Sequence, residues 1–225
     1  MFRIPGLNIL FLLLLTHGLW AQTPYNFHNL SLDKGLSDPR IIDIVQDKYG
    51  FMWFATPNGL NRFDGYSIKT FFADSAQKEL PANNILSLYS DNKGQLWIGT
   101  TGGLVLFDFS KERFIQIDTA EGGAAAEVSR MAVYDFAEDA NGNIYVGGQN
   151  GLFRLLAKEK KWESLGRRYN VDSRLKRVRK LKFLNKDLLF ATTNGNLPFF
   201  EIDITRNKVD SIYMEIGRAS CRERV

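Results

Sequence analysis

Hydrophobic and polar positions alternate along this chain in short stretches separated by turn residues. Residues 84–89 (NILSLY), 95–100 (QLWIGT), 104–109 (LVLFDF) and 113–118 (RFIQID) are each short and rich in apolar residues. Such stretches predict strands, and the Asp, Asn, Gly and Ser residues between them predict tight turns. No helical period separates the strands, so the pattern predicts one antiparallel four-stranded sheet with essentially no α-helix.

The same pattern recurs along the chain. Residues 47–64 (DKYGFMWFATPNGLNRFD) return 44 positions later as residues 91–108 (DNKGQLWIGTTGGLVLFD) and, more altered, 48 positions after that as residues 139–156 (DANGNIYVGGQNGLFRLL). A period of roughly 40–50 residues with four strands per unit is typical of a propeller. We predict an all-β fold, an incomplete β-propeller of four-stranded antiparallel blades with about four blades present. The blades cover about residues 36–73, 82–119, 128–166 and 175–214.

An aspartate, a glycine, an aromatic residue and a second glycine mark each of the first three repeats. We assign the aspartate and both glycines to tight turns, and the aromatic residue to the wedge between neighbouring sheets. A ring of ligand-stacking aromatic residues is the alternative interpretation. The fourth repeat keeps only its second glycine, Gly195. The marked positions are Asp47, Gly50, Trp53 and Gly59; Asp91, Gly94, Trp97 and Gly103; and Asp139, Gly142, Tyr145 and Gly151.

Both ends of the chain depart from the repeat. Residues 1–21 combine Arg3, an apolar run and a cleavage site before Gln22, which predicts a signal peptide and export; an uncleaved anchor is the alternative. Residues 25–32 resemble an isolated strand, placed to complete the final blade of a closed propeller. Residues 216–225 (IGRASCRERV) lack strand alternation and look like a translated adapter oligonucleotide, so we interpret them as a non-native tail rather than a genuine basic tail.

The charge of the chain is concentrated outside the repeats. The tail contributes +2 and Arg3 contributes +1, which leaves +1 of the formal +4 for residues 22–215. We therefore expect no nucleic-acid partner. The basic stretch at residues 167–182 is either a solvated blade edge or a contact for an anion. The only cysteine, Cys221, lies in the tail, so no disulfide is expected.

The residues needed for a catalytic or metal centre do not occur in a suitable pattern. His28 is the only histidine after the signal segment, so neither a zinc site nor a Ser-His-Asp set can be assembled. Asp139, Asn141 and Asn143 lack the distal glutamate of a calcium loop. Aspartates that recur once per blade fit turns better than the paired acids of a glycoside hydrolase. We predict no catalytic residue, no metal and no cofactor.

Residues 44–66 (IVQDKYGFMWFATPNGLNRFDGY) resemble the repeat of the two-component regulator propeller family, and so do residues 86–108. The resemblance is carried by Asp, Gly and Trp at fixed spacing, followed by Gly-Leu before an aromatic–Asp pair. It weakens in the third repeat, where Tyr145 replaces tryptophan, and is faint in the fourth. Residues 32–37 are similar to the segment that precedes the first blade in this family.

This resemblance implies an exported, periplasmic sensor region of an inner-membrane protein. In the family, further blades, a β-sandwich, a membrane span and a histidine kinase follow, and many members from Bacteroidetes-type bacteria respond to oligosaccharides released from polysaccharides. The implied partners are therefore an oligosaccharide, the remaining blades, the downstream sensor domains and, in the full-length protein, a second copy. No residue of this chain matches a kinase motif, so kinase activity is not assigned to it.

Loop residues that break the repeat are the candidate ligand contacts, because binding residues collect on loops carried by a rigid frame. Amide and guanidinium groups suit sugar hydroxyls and carboxylates. Ordinary surface polarity is the alternative. Rival functions are an exported propeller hydrolase or lyase acting on glycans, and a protein-interaction scaffold. The candidate residues are Asn58, Asn61, Arg62, Gln149, Asn150 and Arg154.

Overall fold

Four antiparallel sheets, formed one after another along the chain, make up the fold. The computed structural model describes residues 29–73, 80–117, 119, 122–171, 174–194, 199–212 and 222–224. The chain divides into the units Met1–Leu30 and Ser31–Val225, and all the described strands belong to the second. Of the first unit only residues 29 and 30 are described, without regular structure. The predicted signal peptide lies outside the described residues.

Each blade contributes four strands that are consecutive in sequence and in space, and a fifth strand extends the sheet of blade four. Blade one consists of β1 (Asp43–Gln46), β2 (Met52–Thr56), β3 (Gly59–Phe63) and β4 (Ile68–Phe71). Blade two consists of β5 (Ile85–Ser90), β6 (Leu96–Thr100), β7 (Gly103–Asp108) and β8 (Arg113–Gln116). Blade three consists of β9 (Val133–Glu138), β10 (Ile144–Gly148), β11 (Gly151–Leu156) and β12 (Lys161–Ser164). Blade four consists of β13 (Val178–Phe183), β14 (Leu188–Thr193), β15 (Phe199–Asp203) and β16 (Lys208–Ile212). The predicted fold class is confirmed.

Helices interrupt the strand pattern at two places, which corrects the expectation of essentially no α-helix. Gly123–Val128 (GAAAEV) is a short α-helix within the longer connection between blades two and three, because alanine is the strongest helix former. Leu165–Arg168 is a second one, in which Ser164 caps the backbone N–H of Arg167. Leu32–Lys34 is a 3-10 turn at the end of the strand predicted for residues 25–32. The residues before 29 lie outside the description.

Part of the segment interpreted as a non-native tail is described in the structure, and its non-native origin stays a prediction. Arg222–Arg224 is a fifth strand, β17, which pairs with β16 at the outer edge of blade four. An open sheet edge presents unpaired backbone N–H and C=O groups, and extended backbone of any sequence can pair with them. The pairing of this segment therefore does not require strand alternation in its sequence.

Neighbouring blades pack face to face because alternate side chains of each strand point to opposite sides of its sheet. Three apolar clusters result, one for each pair of neighbouring blades. Between blades one and two the buried residues include Trp53, Leu60, Ile98 and Phe107. Between blades two and three they include Trp97, Leu104, Val146 and Phe153. Between blades three and four they include Tyr145, Leu152, Leu189 and Phe200.

The first strands of consecutive blades lie side by side and are joined by equivalent polar residues. Asp43 on β1 accepts a hydrogen bond of 2.8 Å from the backbone N–H of Leu88 on β5. Asp135 on β9 accepts one of 2.8 Å from the backbone N–H of Leu181 on β13. Burial raises the pKa of Asp135 despite this bond. These two aspartates join blade one to blade two and blade three to blade four.

Small residues in the second strand of each blade allow this close approach. Ala55, Gly99, Gly147 and Ala191 occupy equivalent positions. A Cβ atom added to Gly99 would lie 2.7 Å from Cγ1 of Val133 on the next blade, which is too close for unstrained contact. The repeat therefore requires a small side chain at this position.

The two outermost blade faces carry apolar side chains that contact water. On blade one, Ile42 and Ile44 are 40% and 51% exposed. On blade four, Phe190 and Phe199 stack with ring centroids 5.5 Å apart, on the side of the sheet opposite the buried Leu189 and Phe200. Uncovered apolar faces and sheet edges favour association.

We expect the purified chain to self-associate in a concentration-dependent manner through these faces. The double variant Ile44→Lys with Phe190→Lys should associate less, because it places charge on both faces. Tyr66→Lys is the control, since Tyr66 is 98% exposed on a hairpin of blade one. Sedimentation velocity over a concentration series measures the effect, and a wild-type chain that stays monomeric throughout would contradict it.

Candidate functional site

A buried aspartate closes the turn before the second strand of each of the first three blades. In blade two, Oδ1 of Asp91 accepts hydrogen bonds from the backbone N–H of Lys93 at 3.0 Å and of Gln95 at 2.8 Å. Its Oδ2 accepts one from Nε1 of Trp97 at 2.9 Å. We call this unit the aspartate–aromatic latch. It ties the turn to the large side chain that fills the space between blades.

The latch is repeated in blade one and modified in blade three. Asp47 accepts from Nε1 of Trp53 at 2.7 Å, and Trp53 is fully buried. Asp139 accepts instead from the phenolic O–H of Tyr145 at 3.1 Å and from Nδ2 of Asn143 at 2.7 Å. Burial raises the pKa of Tyr145, so the phenol remains a donor. The carboxylate oxygens of Asp139 thus accept hydrogen bonds from N–H and O–H donors. This is how an aspartate closes a turn, whereas in a calcium loop the oxygens would face the ion.

Three of the six candidate ligand residues lie on hairpin turns. Asn58 is exposed between β2 and β3, and Gln149 and Asn150 are exposed at the corresponding turn of blade three. Nδ2 of Asn58 donates to the carbonyl oxygen of Ser37 at 3.5 Å. These side chains are open to solvent at the ends of the strands opposite the latches.

The other three candidates lie on sheet faces and have partners within the protein. Asn61 is fully buried. Its Oδ1 accepts a hydrogen bond from the backbone N–H of Ser37 at 2.9 Å, and its Nδ2 donates one to Oγ of Ser37 at 2.8 Å. Arg62 lies over Trp53, with 5.7 Å from Cζ to the ring centroid, and pairs with Glu112 of blade two at 2.9 Å.

Arg154 occupies the equivalent position in blade three, but its ion pair lies within its own blade. It is 7% exposed, lies over Tyr145, pairs with Glu163 and donates to the Tyr145 hydroxyl at 3.3 Å. The structure therefore places Asn61, Arg62 and Arg154 in internal contacts.

Sequence reasoning missed a cavity of about 460 Å³ between blades two and three. Leu106 stands there in the position that Arg62 and Arg154 occupy in blades one and three. Trp97 and Trp162 form part of the wall, with ring centroids 6.4 Å apart and ring planes at 80°. The remaining wall is mostly aliphatic. The lining includes Leu106, Ile115, Ile117, Ile144 and Leu155, with Lys93, Gln95, Gln116 and Lys160 among its polar members.

A second depression, of about 350 Å³, adjoins this cavity on the side of blade one. Tyr49 and Phe109 form its aromatic surface, with ring centroids 5.0 Å apart, and Nζ of Lys48 lies 5.2 Å from the Tyr49 ring centroid. The two cavities share Lys93, Gln95 and Ile115. Both lie on the latch side of the blades, away from the hairpin turns that carry Asn58 and Gln149.

Two further observations bear on chemistry and location. Among the described residues, no group of three or more His, Cys, Asp or Glu side chains comes together as metal ligands would. No helix in the described ranges has the length and apolar character that a membrane span needs.

Comparison with known families identifies the repeat. Residues 35–58 and 79–102 match the family described as "Two component regulator propeller". These segments contain the latches of blades one and two, and the predicted resemblance is confirmed. Two segments of the chain therefore match the repeat of the two-component regulator propeller.

Known relatives of the repeat are much longer proteins. A segment of 37 residues is 51% identical to "Histidine kinase P4" of Formosa agariphila, over 16% of this chain and 3% of that protein. The extracellular domain of the hybrid two component system BT3049 from B. thetaiotaomicron superposes with a TM-score of 0.71 at 20% identity, over 86% of this chain and 27% of that one. The chain thus spans less than a third of either relative.

Propellers of another class share the fold. Virginiamycin B lyase from Staphylococcus aureus superposes with a TM-score of 0.50 at 13% identity, over 82% of this chain and 70% of that chain. At this level of identity the likeness shows the fold alone.

We expect Asp91→Asn to lower the free energy of unfolding by about 1–3 kcal/mol, because the amide NH2 must face either the Trp97 N–H or the backbone N–H groups of the turn and leaves that donor unpaired. Asp108→Asn is the control: Asp108 also caps a turn, accepting from Ser110, but there the bond is exposed. Urea denaturation followed by circular dichroism measures both. Equal effects of the two substitutions would contradict the role of the latch.

Proposed function

We propose that this chain is the extracytoplasmic ligand-sensing propeller region of a membrane-bound two-component sensor, and that its ligand is an oligosaccharide derived from a glycan. The repeated match to the two-component regulator propeller carries the proposal. The name of the histidine kinase relative and the extracellular domain with the same fold support it. On this proposal the chain is exported, its first 21 residues are the signal peptide, and the kinase belongs to another part of the full-length protein.

The described side chains suit recognition better than catalysis. The recurring carboxylates Asp47, Asp91 and Asp139 are engaged by the latches and so are unsuited to acid or base chemistry on a substrate. The cavities beside the latches instead offer aromatic rings and lysines. Mostly apolar concave sites with a few polar groups are typical of ligand binding.

A rigid propeller also suits the transmission of a signal. Interblade contacts such as Asp43 with Leu88 and Arg62 with Glu112 join one blade to the next. A ligand held between blades would alter how these blades pack, and the remaining blades and downstream domains would carry that change towards the membrane. In the full-length protein we propose a second copy as the partner in signalling.

Titration calorimetry of the chain with a panel of oligosaccharides, prepared from both neutral and acidic polysaccharides, tests this function. We expect saturable binding of one class of oligosaccharide and no release of new reducing ends from the parent polysaccharides. Heat-denatured chain is the control. Failure of every oligosaccharide to bind would contradict the proposal, and turnover of a polysaccharide would favour a lyase or hydrolase instead.

A further inference from the structure

We propose that the cavity between blades two and three binds an acidic sugar ring, a hexuronate, of such an oligosaccharide. This inference rests on the proposed sensing function and assigns the ligand class and the site. It follows from comparing two interfaces of the same protein, because the interface between blades one and two shows how the repeat packs when large side chains fill the space that is a cavity between blades two and three.

The interface between blades one and two fills the corresponding space with large side chains. Arg62 lies over Trp53, and Phe71 stacks on the same indole with ring centroids 5.7 Å apart. At the equivalent positions of blade two stand Leu106 and Ile115. Both are smaller than the residues they replace, so a cavity remains near Trp97, although Trp97 itself is only 3% exposed.

A similar exchange occurs on the facing blade. Phe107 packs edge-to-face on Trp53 at 4.9 Å, whereas its counterpart in blade three is Leu155. The counterpart of Phe114 is Trp162, whose ring makes an edge-to-face contact with Trp97, with centroids 6.4 Å apart. Three reductions in size and one added indole thus convert a packed interface into one with a cavity of about 460 Å³, in which Trp162 is the more exposed of the two lining indoles.

The walls suit one face of a sugar ring. A pyranose has a face of C–H bonds, and the negative face of an aromatic ring attracts such positively polarised hydrogens. Trp97 is only 3% exposed, so the half-buried Trp162 is the indole that can offer its ring to a sugar. Gln95 at the rim supplies amide groups for hydroxyls.

The charge at the rim selects an acidic ring. Lys93 approaches from the turn of blade two and Lys160 from the turn of blade three. Within the described residues, neither lysine takes part in an ion pair, and the nearest lining carboxylate, Asp91, is engaged by its latch. A carboxylate on the bound sugar would balance this positive charge by charge-assisted hydrogen bonds.

The site extends far enough for more than one sugar unit. A depression of about 320 Å³ lies beside the cavity and shares Lys160 and Trp162 with it. Gly122 and Gly123 line its other side, and because glycine has no side chain they do not fill the depression. The next unit of an oligosaccharide would lie there, against Trp162.

Filling the cavity with residues that the repeat itself uses tests the proposal. Ile115→Phe installs the residue found at position 71, and Leu106→Arg installs the residue found at positions 62 and 154. The probe is digalacturonate, with galactobiose as its neutral counterpart, measured by titration calorimetry on the whole chain. We expect wild-type chain to bind digalacturonate and each filled variant to bind it at least about tenfold more weakly.

Surface variants test the charge without disturbing the packing. The double variant that combines Lys93→Gln and Lys160→Gln should weaken digalacturonate binding about tenfold or more, since each substitution removes a charged hydrogen-bond donor. Lys186→Gln is the matched control, because Lys186 is exposed at the corresponding turn of blade four. Thermal unfolding of each variant verifies the fold.

The outcomes separate this inference from the proposed function. Unchanged digalacturonate binding by the folded filled variants would overturn the site, and binding of neutral oligosaccharides alone would overturn the acidic ring; the sensing function would survive either result. Absence of binding by any oligosaccharide in the panel would overturn both.

Discussion

The hydrogen bond from a buried aromatic side chain to a turn aspartate is the interaction on which the packing of the first three blades depends. Asp47, Asp91 and Asp139 each accept from the backbone of their own turn and from the aromatic residue of the next strand. A buried carboxylate is costly unless its oxygens are hydrogen-bonded, and here they are. The bond therefore fixes the turn, orients the ring and defines the space that the neighbouring blade must fill.

The surroundings of the latch differ between blade one, where they are tightly packed, and blade two, where a cavity remains. Trp53 is enclosed by Arg62 and Phe71, so its latch serves packing alone. Trp97 forms the same latch, but smaller neighbours leave a cavity next to it, which the half-buried Trp162 also lines. On our proposal, a ligand binds where one blade departs from the others, and the latch of Trp97 supports the packing behind that cavity.

Much of the fold could be predicted from the sequence because its determinants are local. The alternation of apolar residues, the turn residues and the period of the repeat gave the number and order of strands in each blade. The helix Gly123–Val128 was missed because it lies in an insertion outside the repeat, where alanine propensity decides. The pairing of Arg222–Arg224 was missed because backbone groups at an open edge, rather than side-chain pattern, decide it.

The candidate site was less predictable because it depends on contacts between distant segments. Asn61 was interpreted as a loop residue, yet it is buried because Ser37, from the segment before blade one, covers it. The cavity depends on the combined volume of residues from two blades, and no single residue signals it. Aligning the repeats position by position, and asking which large residue is replaced by a smaller one, is the comparison that would have found it.

Hydrogen exchange of the indole N–H protons, followed by NMR, tests the central role of the latch most directly. If the latches hold the blades, the N–H protons of Trp53 and Trp97 exchange only through global unfolding, and their opening free energies equal the stability measured with urea. The half-buried Trp162 serves as the reference for a tryptophan at a cavity wall. Exchange of Trp53 and Trp97 as fast as that of Trp162 would contradict the account.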